Sequence, residues 1–419
     1  MNHFTKSEKS WILYDWANSA YTLVVTTTIL PLFFKAMTDQ AGIAANNSTA
    51  YWGYANSFAT LIVAILAPIL GTMADYKDKK KKFFSIALGL GVSFTAVLSI
   101  VPAGNWMMLL GVYIITLIGY SGANVFYDAF LVDVSPTEEM DQVSSHGYAW
   151  GYIGSTIPFV LIAALIFKHE AIGLSELAVM RIGFFITAIW WGVFSLPMLK
   201  NVKQKYYIES EPHTLKKSLS RIGNTLKNIR EHKAIFSFLL AYFFYIDGVG
   251  TIIKMAVVYG SDVGLGSDTL IVVLLAVQIV AFPFAILYGR LAKRFGARKM
   301  IQFAICVYIF TCFYAYQLDS VFEYWILGML VASSQGGIQA LSRSYYGKLI
   351  PKEKSNEFYG FYNVFGKFAA VMGPFLVGFV SSVTGKSQNG VLSIVVLFII
   401  GFILLMRVPK AADEVEQAA

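Results

Sequence analysis

Charge is scarce in this chain of 419 residues. Only 14% are Asp, Glu, Lys or Arg, where a soluble domain carries about 25%. Cysteine is scarcer still. Cys306 and Cys312 stand alone, both inside one apolar run. They carry no message about redox compartment and read as free, apolar side chains. Several motifs are missing as well: there is no zinc-binding helix, nucleophile elbow, phosphate loop or soluble domain. A membrane enzyme or a receptor is therefore disfavoured, and no catalytic residue, cofactor or metal site is expected. The first apolar run contains Asp15 and Asn18 and lacks a small-residue cleavage site, so it reads as a retained helix and not a signal peptide. No sorting or lipidation motif is evident.

What is present is apolar. Hydrophobic residues make up 57% of the chain, and the mean hydropathy is +0.60. Apolar runs of about 20 residues suit a bilayer core about 30 Å thick. Twelve candidate spans emerge, at 11–35, 52–74, 83–103, 106–133, 144–167, 178–199, 235–259, 268–292, 299–318, 323–347, 358–383 and 389–407. The expected class is an all-α polytopic membrane protein. The net charge of +8 then reads as topogenic and does not point to nucleic acid. Lys77–Lys82, Lys200–Lys233, Arg290–Lys299 and Lys348–Lys354 fall on one side. The other side holds little beyond Lys35, Lys168 and Lys386. Both termini are expected in the cytoplasm, with the chain in the cell's inner membrane.

The chain also repeats itself. The basic turn that follows Gly71 and Asp75 has an echo that starts at Gly289 and runs through Arg294. The end of helix 4, Gly122 to Pro136, matches the end of helix 10, Gly337 to Pro351. In that match Asp128 corresponds to Arg343, and Asp133 to Lys348. The expected organisation is a six-helix bundle over 1–200, a linker over 201–233, a second bundle over 234–410 and a disordered tail over 411–419. Within the linker, 214–230 places Leu215, Leu219, Ile222, Leu226 and Ile229 at helical spacing among basic residues. It reads as an amphipathic helix on the anionic inner leaflet. Lys79–Lys82 read as topogenic and lipid-facing.

Polar residues inside apolar helices need partners or water. Here they form stripes at steps of three or four: Trp11, Asp15, Asn18 and Thr22; Ser121, Asn124 and Asp128; Asp247, Thr251 and Lys254; Gln335, Gln339 and Arg343. Helices 1, 4, 7 and 10 would line a central aqueous cavity, and helices 3, 6, 9 and 12 would face lipid. Lys367 and His146 add charge on helices 11 and 5. Arg343 is suited either to a substrate carboxylate or to a clamp on Asp128 or Asp133.

These features resemble the major facilitator superfamily, whose loop signature is Gly, three residues, Asp and then basic residues. Gly71, Asp75 and Lys77 match the first copy. In the second copy Lys293 stands where the acid would be. A narrower resemblance rests on Trp11–Tyr21, Tyr242–Gly248 and Gln335–Ser344. It is to the branch holding the autophagy-related vacuolar amino-acid effluxers and their bacterial relatives. The resemblance implies a monomeric secondary transporter working by alternating access, exporting amino acids or similar zwitterions, with protons as a coupling ion. The polar stripes themselves put the expected substrate or proton contacts at Asp15, Asn18, Asp128, Asp247, Lys254, Gln339 and Arg343, with Lys367 added from helix 11. Gating is expected at Gly71, Asp75, Asp133, Gly289 and Arg294. A multidrug, organic-anion or sugar carrier of the same fold is the alternative.

Overall fold

A computed structural model describes residues 3–209, 214–228, 231–262, 266–318 and 320–409. The expected tail at 411–419 lies outside the described residues, as do Ile229 and Arg230 of the linker. Among the described residues twelve membrane-length helices run in order: α1 (Lys6–Gln40), α2 (Ala45–Ala74), α3 (Lys79–Leu98), α4 (Trp106–Val134), α5 (Met140–Phe167) and α6 (Glu176–Asn201), then α7 (Lys233–Asp262), α8 (Ser267–Phe295), α9 (Ala297–Tyr316), α10 (Val321–Leu349), α11 (Ser355–Thr384) and α12 (Ser387–Met406). Eleven segments among the described residues are long and apolar enough to cross a membrane. The exception is α10. It is 29 residues long, but its Gln335, Gln339 and Arg343 dilute its apolar character.

Local chemistry sets the ends. A capping box of Thr5 and Glu8 starts α1, five residues before the expected boundary. Asn105, Ser175 and Ser320 cap α4, α6 and α10 through their side chains. Gly296, at φ 85°, makes the tight turn between α8 and α9. Proline lies inside α2, α5, α8 and α11, at Pro68, Pro158, Pro283 and Pro374. These match in pairs across the two halves. Membrane helices tolerate such prolines because neighbouring groups take over the freed backbone atoms.

Helix α1 departs from regular winding. Tyr21–Ile29 is a π-helical stretch of nine residues, which takes in Thr22, the last member of the stripe that holds Asp15 and Asn18. Pro31 follows and offers no N–H to the preceding turn. The hydroxyl of Thr28 donates to the carbonyls of Leu23 and Val24 at 2.8 and 2.9 Å, taking up oxygens in the wider turn. Such stretches favour functional positions.

Two large cores form, one in each half. The first gathers Trp11, Tyr14, Tyr21, Phe84, Tyr127 and Trp191. The second gathers Phe238, Tyr245, Tyr308, Tyr346, Tyr359 and Phe398. Helices α3, α6, α9 and α12 carry exposed Ile86, Phe185, Phe310 and Ile399, as lipid-facing helices require.

The linker helix, Thr214–Lys227, is where the sequence reading needs correction. It docks on the protein: Ser218 and Thr225 are buried, and Ile222 packs against the second core, while Leu219 stays exposed. The segment before it runs beside the α2–α3 turn, with Ile208 bonded to the Asp75 carbonyl at 2.9 Å and to the Lys77 amide at 3.0 Å. The start of α1, the end of α12 and the linker share one side of the bundle, here called the linker side.

Candidate functional site

The site is built where the polar stripes of α1, α4 and α10 converge, while Asp247 on α7 stands apart from it. Arg343 on α10 is 2% exposed. Its Nη2 donates to Asp15 Oδ2 on α1 at 3.0 Å, and its Nη1 to Asp128 Oδ1 on α4 at 3.3 Å. Nε donates to the Ser144 hydroxyl on α5 at 3.0 Å, and Nη2 also to the Ser144 carbonyl at 3.1 Å. Three aromatic rings complete a cage, with centroids 4.4 Å away at Tyr148, 4.6 Å at Trp11 and 5.4 Å at Tyr127. Four of the five N–H donors of the guanidinium are used. Of the two roles open to Arg343, the structure displays the clamp. Its partners are Asp15 and Asp128, not Asp133.

The pairing of Asp128 with Arg343 also locates the symmetry. The two are matched positions in the repeat, and matched residues touch only near the axis that relates the halves. The cluster therefore sits on the pseudo-twofold axis. It holds one cation and two carboxylates, a net negative charge between the halves. Asn363 on α11 also approaches Asp128, at 3.4 Å.

Beyond the clamp, on the side away from the linker, the polar groups become freer. Asn18 bonds Asn124 at 2.7 Å, and Thr22 bonds Tyr120 at 2.6 Å. Lys367 donates to Ser121 across the halves at 2.9 Å. Gln339 is half-buried and donates to the Gln335 carbonyl. Asp247 is 1% exposed. Its Oδ1 takes a long bond from Thr251 at 3.5 Å, and its Oδ2 has no hydrogen-bond partner. Lys254, two turns along the same face, is exposed. An apolar cavity of about 70 Å³ lies inside the second half, lined among others by Ile252, Tyr259, Val277, Cys312 and Gln335. It is separate from the clamp.

The linker side is closed by a second set of contacts. Gly71 on α2 abuts the Asn356 backbone at the start of α11. Asp75 Oδ1 accepts from the Asn356 backbone N–H at 2.9 Å and its side chain at 3.0 Å, and Asp75 Oδ2 from the Glu357 N–H at 3.3 Å. A carboxylate at a helix N-terminus is electrostatically favoured. Arg221 of the linker helix bonds Asp75 and Glu357 at 2.8 Å each. Burial pushes the Asp75 carboxyl up to about 6, against the pull of Arg221.

Asp133 has a different partner from any the sequence suggested. Its Oδ2 lies 2.6 Å from Lys80 Nζ, with both side chains fully buried. Its Oδ1 accepts the backbone N–H groups of Lys205 and Tyr206, at 2.7 and 3.0 Å. Lys80 also donates to the Ala129 carbonyl and, across the halves, to Ser355 at 2.9 Å. One member of the lysine block is thus a buried ion-pair residue, which corrects the lipid-facing reading for Lys80. Lys77 and Lys79 remain exposed.

Gly289 on α8 abuts Ser145 on α5. Arg294 is exposed, its guanidinium 5.3 Å from the Phe295 ring, and Lys293 is exposed too. At this seam Asp141 of α5 accepts from Ser344 at 2.6 Å and Lys348 at 2.7 Å on α10. Sequence reasoning missed Ser144, Tyr148, Asp141, Lys80, Arg221 and Glu357. Only Glu357 and Asp141 left a trace, as acids in the first turn of their helices.

Comparison with known proteins agrees with this architecture. The family described as "Vacuole effluxer Atg22 like" matches residues 5–418. A Bacillus subtilis protein described as an uncharacterized MFS-type transporter, YxiO, is 54% identical over 412 residues, covering 98% of this chain and 96% of that protein. Autophagy-related protein 22-1 of Aspergillus niger is 23% identical over 291 residues, which are 64% of this chain and 47% of that protein. The chain thus spans about half the length of that fungal relative. The crystal structure of the human organic anion transporter MFSD10 superposes with a TM-score of 0.73 at 13% identity, covering 95% of this chain and 99% of that one. The proton:xylose symporter XylE gives 0.72 at 13% identity, covering 96% and 95%. At such identities the likeness is one of fold. On the match along nearly its whole length, the chain belongs to the Atg22-like effluxer family, within the major facilitator superfamily of membrane transporters.

Proposed function

We propose that this transporter exports amino acids or similar small zwitterions by alternating access, with proton coupling. The observation that carries the reading is the shared guanidinium of Arg343. A cation from one half held by two carboxylates of the other is a contact that must break when the halves rock apart. Breaking it leaves two acids facing a solvated cavity, and taking up a proton is the direct way to settle the extra negative charge. Asp247 supports a second acidic position: one of its oxygens is unpartnered. An ammonium group suits it, with Lys254 offering charge for a carboxylate on the same helical face. In this reading Asn18, Gln339 and Lys367 line the path between the halves.

Among the described residues, the side-chain hydrogen bonds between the halves run from the linker side to about mid-membrane, ending at Lys367 and Ser121. This supports a state closed on the linker side and open on the far side. The concentration of Lys and Arg there supports its assignment to the cytoplasm, in the cell membrane. Gly71, Asp75, Asp133 and Gly289 act as closure groups in this reading. Arg294 meets anionic headgroups, and the working unit is the monomer.

The test is counterflow. Purified protein in vesicles is preloaded with a mixture of amino acids and given a labelled mixture outside, with and without an imposed pH gradient. Exchange that the gradient drives uphill is expected. Its absence in folded protein would remove the zwitterion reading and turn the search to lipophilic cations, organic anions and sugars. Full pH dependence in Asp247→Asn would exclude that residue as the proton carrier.

A further inference from the structure

We propose that Arg221, on the helix joining the two halves, is the bolt of the linker-side gate, so that this gate opens only when the linker helix undocks. The inference rests on the alternating-access reading and adds a moving part to it.

The geometry is that of a three-body lock. Asp75 closes α2 in the first half, and Glu357 opens α11 in the second. Both side chains are fully buried. Arg221 reaches between them, with Nη2 2.8 Å from each and Nε 3.2 Å from Glu357. Thr225, one turn on, donates to the other Glu357 oxygen at 2.6 Å. The guanidinium also lies 5.6 Å from the Tyr76 ring.

Two buried carboxylates from opposite halves repel, and a cation between them turns that repulsion into attraction. Lys80 cannot replace Arg221, because its ammonium is spent on Asp133, the Ala129 carbonyl and Ser355. Without Arg221 the α2–α11 seam holds two facing negative charges. The linker helix also has no counterpart in the repeat among the described residues. It therefore gives the two pseudo-equivalent seams different strengths.

The test reads the gate without any substrate. In full-length protein with Cys306→Ser and Cys312→Ser, spin labels at Lys79→Cys and Glu353→Cys report the linker-side distance in vesicles. In Arg221→Gln the longer-distance population is expected to rise by about tenfold or more, since an unpaired buried charge is strongly destabilising. Arg221→Lys keeps the charge but loses the fork, so a smaller rise is expected. Adding Glu357→Gln to Arg221→Gln restores the charge balance and should return the distribution toward the parent. A distribution in Arg221→Gln identical to the parent, or a double variant as open as the single one, overturns the proposal. Opening in Arg221→Gln with no amino-acid counterflow in the parent would sink the substrate reading and leave the bolt standing.

Discussion

The two seams on the linker side are copies of one design that have diverged in chemistry. In one, α2 of the first half ends against the start of α11; in the other, α8 of the second half ends against the start of α5. Each has a glycine at the close approach, Gly71 or Gly289. At the first, an acid on the incoming helix caps the helix it meets, and a linker arginine ties the pair. At the second, the corresponding position is Lys293, which is exposed. Its seam is held instead by Asp141 reaching to Ser344 and Lys348 on α10. A repeat preserves backbone geometry while charges move from one element to another. The first seam joins three elements, the linker helix among them; the second joins the helices of the two halves directly.

The largest effect should come from the Arg343 clamp, which ties α10 to α1, α4 and α5 between the two seams. Arg343→Gln leaves buried Asp15 and half-buried Asp128 without their cation. A loss of about 3–5 kcal/mol in the stability of the closed arrangement is expected. Thermal unfolding should show it, and both linker-side distances should lengthen together. Opening of one seam alone would show that Arg343 belongs to that seam and not to the axis.

Next comes a contrast between lysines. Lys80→Met leaves Asp133 fully buried with only backbone donors and should cost about 3 kcal/mol or more. Lys348→Met leaves Asp141 its bond to Ser344, so a loss of about 1–3 kcal/mol is expected. Equal losses in unfolding experiments would contradict the difference in design.

The glycines sharpen the comparison further. A Cβ at Gly71 would overlap the Asn356 carbonyl oxygen, which is backbone. At Gly289 the nearest atoms, at 2.7 Å, belong to the Ser145 side chain, although the Asp141 carbonyl lies at 3.2 Å. Gly71→Ala should therefore open its seam more than Gly289→Ala does. The reverse order in spin-label distances would mean that α11 yields more easily than α5.

The smallest expected effect is pH. Asp75 is at about 6 in the closed seam, raised by burial, and falls toward the ordinary carboxylate range when the seam opens to water. It faces Arg221 on the linker helix, Asn356 and Glu357 on α11, and Lys80 on α3. The closed form holds the proton more tightly. Its advantage from this group is complete below the open-state value and lost as pH rises through about 6. The closed-to-open ratio should rise about tenfold from pH 7 to pH 5. Asp75→Asn should abolish that dependence. A dependence of the opposite sign would place the titration elsewhere.

Much of this fold was written in the sequence, because burial in lipid leaves a coarse signal. Apolar length gave the twelve helices, and the half-chain repeat gave the two bundles. Polar spacing of three and four put Asp15, Asp128 and Arg343 on inward faces, where they meet. Partner choice was less visible. Lys80 sits among four other lysines, and only its helix phase, facing Asp133, separates it from them. Arg221 lies in a basic amphipathic stretch whose spacing fits a lipid surface equally well. Nothing in one sequence states that its arginine points at two acids from distant segments. The π-helical turn at Tyr21–Ile29 was also hidden, because its apolar pattern is that of any membrane helix.

The account stands on the closed linker side being one end of a cycle. The direct measurement is a pair of distances in vesicles, Lys79→Cys to Glu353→Cys on the linker side and Asn47→Cys to Lys386→Cys on the far side. The account predicts that they change in opposition: conditions that lengthen the linker-side distance, such as Arg343→Gln, shorten the far-side one. Two distances that lengthen together, or a far-side distance that stays fixed while the linker side opens, would contradict alternating access in this protein.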